Sequence, residues 1–95
     1  MKTPEGYEKD DIDKYLLSIG AWVHKTYTGG YGPSGAPDRI ACIEGRFWGI
    51  EVKREGKEPT VKQLARMKAI EEAGGLAVAG TAAVVIGTIE KWLEK

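Results

Sequence analysis

The chain is poor in cysteine and histidine and has no long apolar run, and these absences exclude several classes of protein. Its 95 residues include one cysteine, Cys42, and one histidine, His24. A single cysteine excludes an internal disulfide, and a single histidine is too few for a typical zinc site. No apolar run approaches the ~18 residues of a membrane helix, and the first residues lack the apolar segment of a signal peptide. We therefore expect a cytoplasmic protein without a membrane partner, in which Cys42 is a buried thiol.

The composition predicts one globular domain, residues 1–95, with an uneven distribution of charge. Apolar residues make up 42% of the chain, charged residues 29%, and the formal net charge is zero. Residues 21–68 hold nine Lys or Arg and five Asp or Glu, whereas both ends are acidic. A basic middle suits a partner that carries phosphates, although ordinary scatter of surface charge gives the same numbers.

Hydrophobic periodicity and turn residues predict the element order α-β-β-β-α-β-α. The predicted helices cover residues 4–19, 60–73 and 81–95, and the predicted strands cover 21–27, 38–44, 46–53 and 76–80. A strand that follows a hairpin through a helix implies a mixed sheet, so the fold class is α/β with helices on the faces of the sheet. We expect the following residues to face inward: Ile12, Leu16, Ile19, Leu64, Met67, Ile70, Val85, Ile89, Trp92 and Leu93.

Charged residues interrupt the apolar pattern of the predicted strand at residues 46–53. Side chains alternate along a strand, so Trp48, Ile50 and Val52 share the core face. Glu51 and Lys53 therefore point together to the opposite face. Gly49, on that same face, is expected to leave room beside them.

A second carboxylate is predicted to lie opposite the first. Asp38 begins the preceding strand, and a tight turn at Glu44-Gly45 pairs it with the region of Glu51. Two adjacent carboxylates repel unless a proton or cation lies between them, and Mg²⁺ favours such oxygen ligands. With the backbone carbonyl of Val52 as a further ligand and Lys53 beside the water, these groups suffice for phosphodiester hydrolysis. Taken singly, each charge also fits a turn or a solvated strand face.

The sequence resembles a known nuclease signature at these positions. Pro37-Asp38, twelve residues, then Glu51-Val52-Lys53 is similar to the PD-(D/E)XK motif. The longer stretch "SGAPDRIACIEGRFWGIEVKREGKEPTVKQ", followed by "EAGGLAVAG", resembles the virus-type replication-repair nuclease (VRR-NUC) domain. The match runs from about Gly20 to Gly80, and more loosely from Pro4.

The resemblance implies a restriction-endonuclease-like core that hydrolyses DNA with Mg²⁺ or Mn²⁺ and without an organic cofactor. Asp38 and Glu51 would bind the metal, and Lys53 would act on the attacking water. Gln63 matches a family position that contacts the site, although a capping box at Thr60 explains it equally well. Many family members add a glutamate from the first helix, and Glu5 and Glu8 both remain candidates.

The resemblance also implies a substrate and an assembly. The chain resembles the small standalone members of the family. This resemblance implies a homodimer of phage origin, within a bacterial host, that cuts branched DNA such as Holliday junctions. An exonuclease or flap nuclease with the same site, and a DNA-binding module without turnover, remain alternatives. The residues expected to contact DNA flank the site in sequence: Lys25, Tyr31, Arg39, Arg54, Lys57, Lys62 and Arg66.

Overall fold

The computed structural model describes residues 2–26 and 36–94, and it confirms the predicted order of elements. The elements are α1 (Pro4–Ser18), β1 (Trp22–Lys25), β2 (Arg39–Ile43), β3 (Arg46–Val52), α2 (Val61–Glu72), β4 (Leu76–Gly80) and α3 (Ala82–Leu93). The four strands form one sheet in the order β1-β2-β3-β4. β1, β2 and β3 are antiparallel neighbours, whereas β4 runs parallel to β3. The α/β class with a mixed sheet is therefore confirmed.

Each helix begins at a threonine whose hydroxyl accepts a backbone hydrogen bond. Thr3 accepts from the amide of Gly6, and Thr60 accepts from the amide of Gln63. Thr81 does the same at the start of α3. A hydroxyl at this position binds an amide that has no partner within the helix, which is why threonine favours a helix start.

One face of the sheet is closed by α1 and α3 and forms the hydrophobic core. Ile12 and Leu16 of α1 and Ile89 of α3 have no solvent exposure. They belong to one cluster with the strand residues that alternation assigned to the inner face, Trp48, Ile50 and Val52. Tyr15, Ile19, Trp92 and Leu93 pack at its border. Burial of these side chains is the main favourable term for folding a chain of this size.

The opposite face is only partly covered, because α2 packs on β3 and β4 alone. No residue of α2 is fully buried, and Leu64, which was expected to face inward, is 52% exposed. Trp22, Cys42 and Phe47 occupy a cross-strand row that α2 leaves exposed. The expectation of a buried Cys42 was therefore wrong: the residue lies in an apolar strand, but on the uncovered side.

Gly49 serves packing and does not create an open space beside the carboxylates. A Cβ atom at this position would lie 2.6 Å from Cδ1 of Ile70 and 3.2 Å from Cγ of Pro37. α2 and the segment before β2 thus fill the space that the sequence analysis left open. Among the described residues, no helix is long and apolar enough to cross a membrane.

Gly49→Ala should destabilise the protein by about 1–3 kcal/mol, because the added methyl group must displace Ile70 or Pro37. Gly87→Ala is the matched control. Gly87 lies within α3 with open space around its Cβ position, so alanine should stabilise the helix by about 0.5–1 kcal/mol. Urea unfolding followed by circular dichroism measures both changes. Equal stability of Gly49→Ala and the parent protein would contradict this account of the packing.

Candidate active site

Asp38 and Glu51 meet where the β2–β3 hairpin ends, as the predicted turn requires. Arg39 pairs with Ile50 in the sheet register, so the next pair outward joins Asp38 and Glu51. The amide of Val52 donates a hydrogen bond of 2.8 Å to Oδ2 of Asp38. Glu51 is only 5% exposed, and its carboxyl group lies close enough to Asp38 for the two charges to act on each other. The backbone therefore holds two acids in contact.

The contact strongly changes the acidity of Glu51. Burial, followed by the charge and hydrogen bond of Asp38, raises the pKa of Glu51 to about 8, while Lys53 and Arg66 act in the opposite direction. Without a cation, a proton shared by the two acids relieves their repulsion. A divalent cation can replace that proton, because it neutralises both carboxylates at once.

The residues present fit a Mg²⁺ or Mn²⁺ ion that takes most of its ligands from water and phosphate. Across residues 2–26 and 36–94, no three His, Cys, Asp or Glu side chains are grouped as a metal site. Mg²⁺ is commonly held by one or two carboxylates and completes its octahedron with waters and substrate oxygens. Asp38 and Glu51 provide such a pair. Val52 directly follows Glu51, so its carbonyl remains a candidate third ligand.

Arg39 was expected to contact DNA, but its guanidinium is bonded to Asp13 and to the backbone of Asp38. The Arg39 guanidinium donates to both carboxylate oxygens of Asp13, at 2.7 and 3.0 Å, and to the backbone carbonyl of Asp38 at 2.9 Å. Thr26 donates its amide to the same carbonyl. Arg39 is only 7% exposed, so it offers little surface to a phosphate. We therefore assign it to positioning Asp38 and leave it out of the proposed DNA surface.

Gln63 combines the two roles that the sequence left as alternatives. Its side-chain oxygen accepts a hydrogen bond of 2.9 Å from the amide of Thr60, which completes the capping box. Its side-chain nitrogen donates to Oε1 of Glu51 at 3.2 Å. One amide group thus joins the start of α2 to the carboxyl pair, and it orients Glu51 from the side of α2.

The two candidate glutamates of α1 have different surroundings. Oε1 of Glu8 accepts a hydrogen bond of 2.9 Å from the amide of Ala82, at the start of α3. Glu5 instead pairs with Lys9 at 3.4 Å, and the same ammonium lies 3.8 Å from Oδ1 of Asp38. Glu8 therefore joins two helices, whereas Glu5 is linked to the site through Lys9. Sequence reasoning missed Lys9, although its spacing of four residues from Glu5 indicates a helical ion pair.

The remaining predicted DNA contacts are scattered around this end of the sheet. Arg54, Lys57 and Lys62 are exposed, in the loop after β3 and the first turn of α2. Lys25 is exposed on the edge strand and lies 3.6 Å from Asp13, and Arg66 is half-buried on α2. Tyr31 lies outside the described residues.

The fold and the carboxyl pair together are characteristic of the restriction-endonuclease-like class of nuclease cores. Comparison with protein-family models and with curated proteins gave no match. Among solved structures, the chain is similar to a VRR_NUC domain, with 29% identity and a TM-score of 0.78, over 94% of this chain and 97% of the other. The chain therefore has the fold of a VRR-NUC domain over nearly its whole length, and the predicted resemblance is confirmed.

The raised pKa of Glu51 predicts that the metal-free protein loses stability as pH rises from about 4.5 to about 8. In that range the unfolded chain has released the Glu51 proton while the folded chain retains it, so higher pH favours unfolding. Glu51→Gln removes this contribution. Its melting temperature relative to the parent should therefore increase with pH when both are measured in EDTA.

Saturating Mg²⁺ provides the control for this pH dependence. The cation should stabilise the parent at pH 8 and have little effect on Glu51→Gln, because the amide cannot supply the second negative charge. A difference in melting temperature that stays constant from pH 5 to pH 8 would contradict the shared proton.

Proposed function

We propose that this protein is a metal-dependent DNA endonuclease that hydrolyses phosphodiester bonds in branched DNA, acting through a single domain formed by residues 1–95. The observation that carries the proposal is that the hairpin register brings Asp38 and Glu51 together, with Asp38 bound to the amide of Val52 and Glu51 bound to Gln63. The similarity to a VRR_NUC domain supports the same class of activity. A buried acid held beside a second carboxylate is costly for stability, which favours a chemical role over a structural one.

The proposed metal ligands are Asp38 and Glu51, with the carbonyl of Val52 and the side chain of Glu5 as further candidates. Mg²⁺ or Mn²⁺, when bound, would polarise a phosphoryl oxygen and the attacking water. Glu5 is favoured over Glu8, since the Glu8 carboxylate is engaged with α3 while Glu5 is linked to Asp38 through Lys9.

Lys53 and Gln63 act on the reacting groups in this proposal. Lys53 lies directly after β3, two residues beyond Glu51, and its charge lowers the pKa of Glu51. Its ammonium can orient the attacking water and stabilise the negative charge that grows on the phosphate. Gln63 keeps Glu51 in one orientation. The water oxygen forms the new bond to phosphorus and releases a proton to solvent. The bond to the leaving sugar oxygen breaks, this oxygen takes up a proton from solvent, and the DNA strand is cut.

Branched DNA and a homodimer are the proposed substrate and assembly. Resolution of a four-way junction such as a Holliday junction requires two symmetric cuts, and a two-fold dimer supplies two sites. Exposed Arg54, Lys57 and Lys62 lie in the loop after β3 and the first turn of α2, and their charges are suited to bind the phosphates of the arms. We further propose that the protein acts in DNA repair or replication of a phage, in the cytoplasm of a bacterial host.

Cleavage of four matched DNA substrates tests the function. The purified chain should cut a four-way junction in Mg²⁺ or Mn²⁺ at least tenfold faster than duplex or single-stranded DNA, and EDTA should abolish cutting. Glu51→Gln should lower cutting by about 10²–10³-fold, since it removes a metal ligand and a charge near the reacting phosphate. Gel electrophoresis of end-labelled strands measures the rates and reveals whether cuts are paired.

The substrate preference in this assay distinguishes the junction endonuclease from an exonuclease, a flap nuclease and a DNA-binding module without activity. Preferential cutting of a flapped substrate or digestion from an end would favour the flap nuclease or exonuclease. Binding of branched DNA without any cutting in either metal would overturn the enzymatic proposal and favour a recognition module. Lys53→Ala, which keeps both proposed carboxylate ligands, should bind DNA normally and cut it slowly.

Substitution of each α1 glutamate in turn tests which of them is the third acidic ligand. Glu5→Gln should lower the apparent affinity for Mg²⁺ in the cleavage assay without changing stability, because the Glu5 pair with Lys9 is partly exposed. Glu8→Ala should instead lower stability by about 1 kcal/mol, since the amide of Ala82 loses its partner. The opposite pattern would assign the metal role to Glu8.

A further inference from the structure

A surface cavity lies beside the site on the same face of the sheet. Its volume is about 600 Å³, within the usual range for sites that hold small organic groups. It is formed between the start of β3 and the second half of α2. The lining residues are Gly45, Arg46, Phe47, Arg66, Ala69, Ile70, Ala73, Gly74 and Gly75.

The cavity and the carboxyl pair share one face of α2 and one face of β3. Phe47 and Glu51 are four residues apart on β3, and strand geometry separates them by about 13 Å. Gln63, which binds Glu51, is one turn before Arg66 and two turns before Ile70, so the three residues lie along one side of the helix. Arg66 therefore stands between the carboxyl pair and the cavity that it lines.

The lining combines a flat apolar surface with positive charge. Phe47 is 45% exposed, so part of its ring is available to a stacking partner. Gly75 allows the chain to approach this ring, because a Cβ there would lie 3.0 Å from Phe47 and 2.9 Å from Ile70. Arg46 donates two hydrogen bonds to the carbonyl of Gly74, which keeps one cation at the rim. Arg66 supplies a second cation on the side nearer the site.

We propose that this cavity binds an unpaired nucleobase of the DNA substrate, with Phe47 as the stacking surface and Arg46 and Arg66 near the adjoining phosphates. The inference rests on the proposed function and adds a source of selectivity. An apolar cavity flanked by cations is complementary to a nucleotide, which joins an aromatic ring to an anion. A base within a duplex must first unstack and unpair to enter, which costs a few kcal/mol. Branch points and other distorted DNA, whose bases are already unpaired, avoid that cost.

Two matched alanine substitutions on α2 test the proposal. Ala69→Leu fills the cavity, whereas Ala65→Leu makes the same change one turn earlier at an exposed position outside the lining. Both are introduced into Glu51→Gln, so that DNA remains intact. The probes are a duplex with a central bubble of unpaired thymines and the same duplex fully paired, and fluorescence anisotropy measures their affinities.

Ala69→Leu should weaken binding of the bubble about tenfold, the usual loss when one stacking contact is removed, and leave binding of the paired duplex unchanged. Ala65→Leu should bind both probes as the parent does. Phe47→Leu keeps an apolar side chain without a flat ring and should reproduce the loss of bubble binding. If Ala69→Leu fails to fold, Phe47→Leu still tests the proposal.

Three results would overturn the proposal. Unchanged bubble binding by both Ala69→Leu and Phe47→Leu would exclude a base in the cavity, and an equal loss on both probes would indicate a general phosphate surface. A change of oligomeric state in Ala69→Leu, seen by sedimentation, would assign the cavity to an interface between two copies of the chain. The cleavage assay tests the nuclease proposal independently. If the parent protein cuts branched DNA but the cavity variants bind as the parent does, only the base-binding proposal fails.

Discussion

The contact between two acidic side chains is the constraint on which the rest of this structure depends. Asp38 and Glu51 repel each other when both are ionised, so the fold must hold them together against that repulsion. It does so with backbone groups: the hairpin register sets the pair, and the amide of Val52 binds Asp38. Arg39 and Gln63 then fix the two acids from opposite sides. A site built this way favours a proton or a divalent cation between the carboxyl groups.

One face of the sheet forms the hydrophobic core, and the other face carries the proposed active site. α1 and α3 close one face over an apolar core, which supplies the favourable free energy that a small chain needs. α2 covers only half of the other face, so polar groups there remain accessible to solvent and to DNA. The carboxyl pair lies at one end of this half-covered face and the apolar cavity at the other. Chemistry and the proposed base recognition can therefore act on one strand of DNA.

Much of this arrangement could be predicted because it follows from strand periodicity and a short turn. Alternation along β3 separates Glu51 from Trp48 and Val52, and the two-residue turn at 44–45 fixes which residue lies opposite Glu51. Both are local properties of the chain. The capping box at Thr60 is equally local, and it brings Gln63 to the start of α2. Its second bond, to Glu51, depends on how α2 packs and could only be suggested by the resemblance.

The sequence by itself determined the order of elements, the inward residues of β3 and the pairing of Asp38 with Glu51, because each depends on neighbours in the chain or across one tight hairpin. Only the tertiary structure decided which charges are exposed. Arg39 proved to be buried against Asp13, twenty-six residues away, and Glu8 proved to bind α3, seventy-four residues away. Such contacts are set by how α1 packs against the sheet and against α3, and no local pattern encodes that packing.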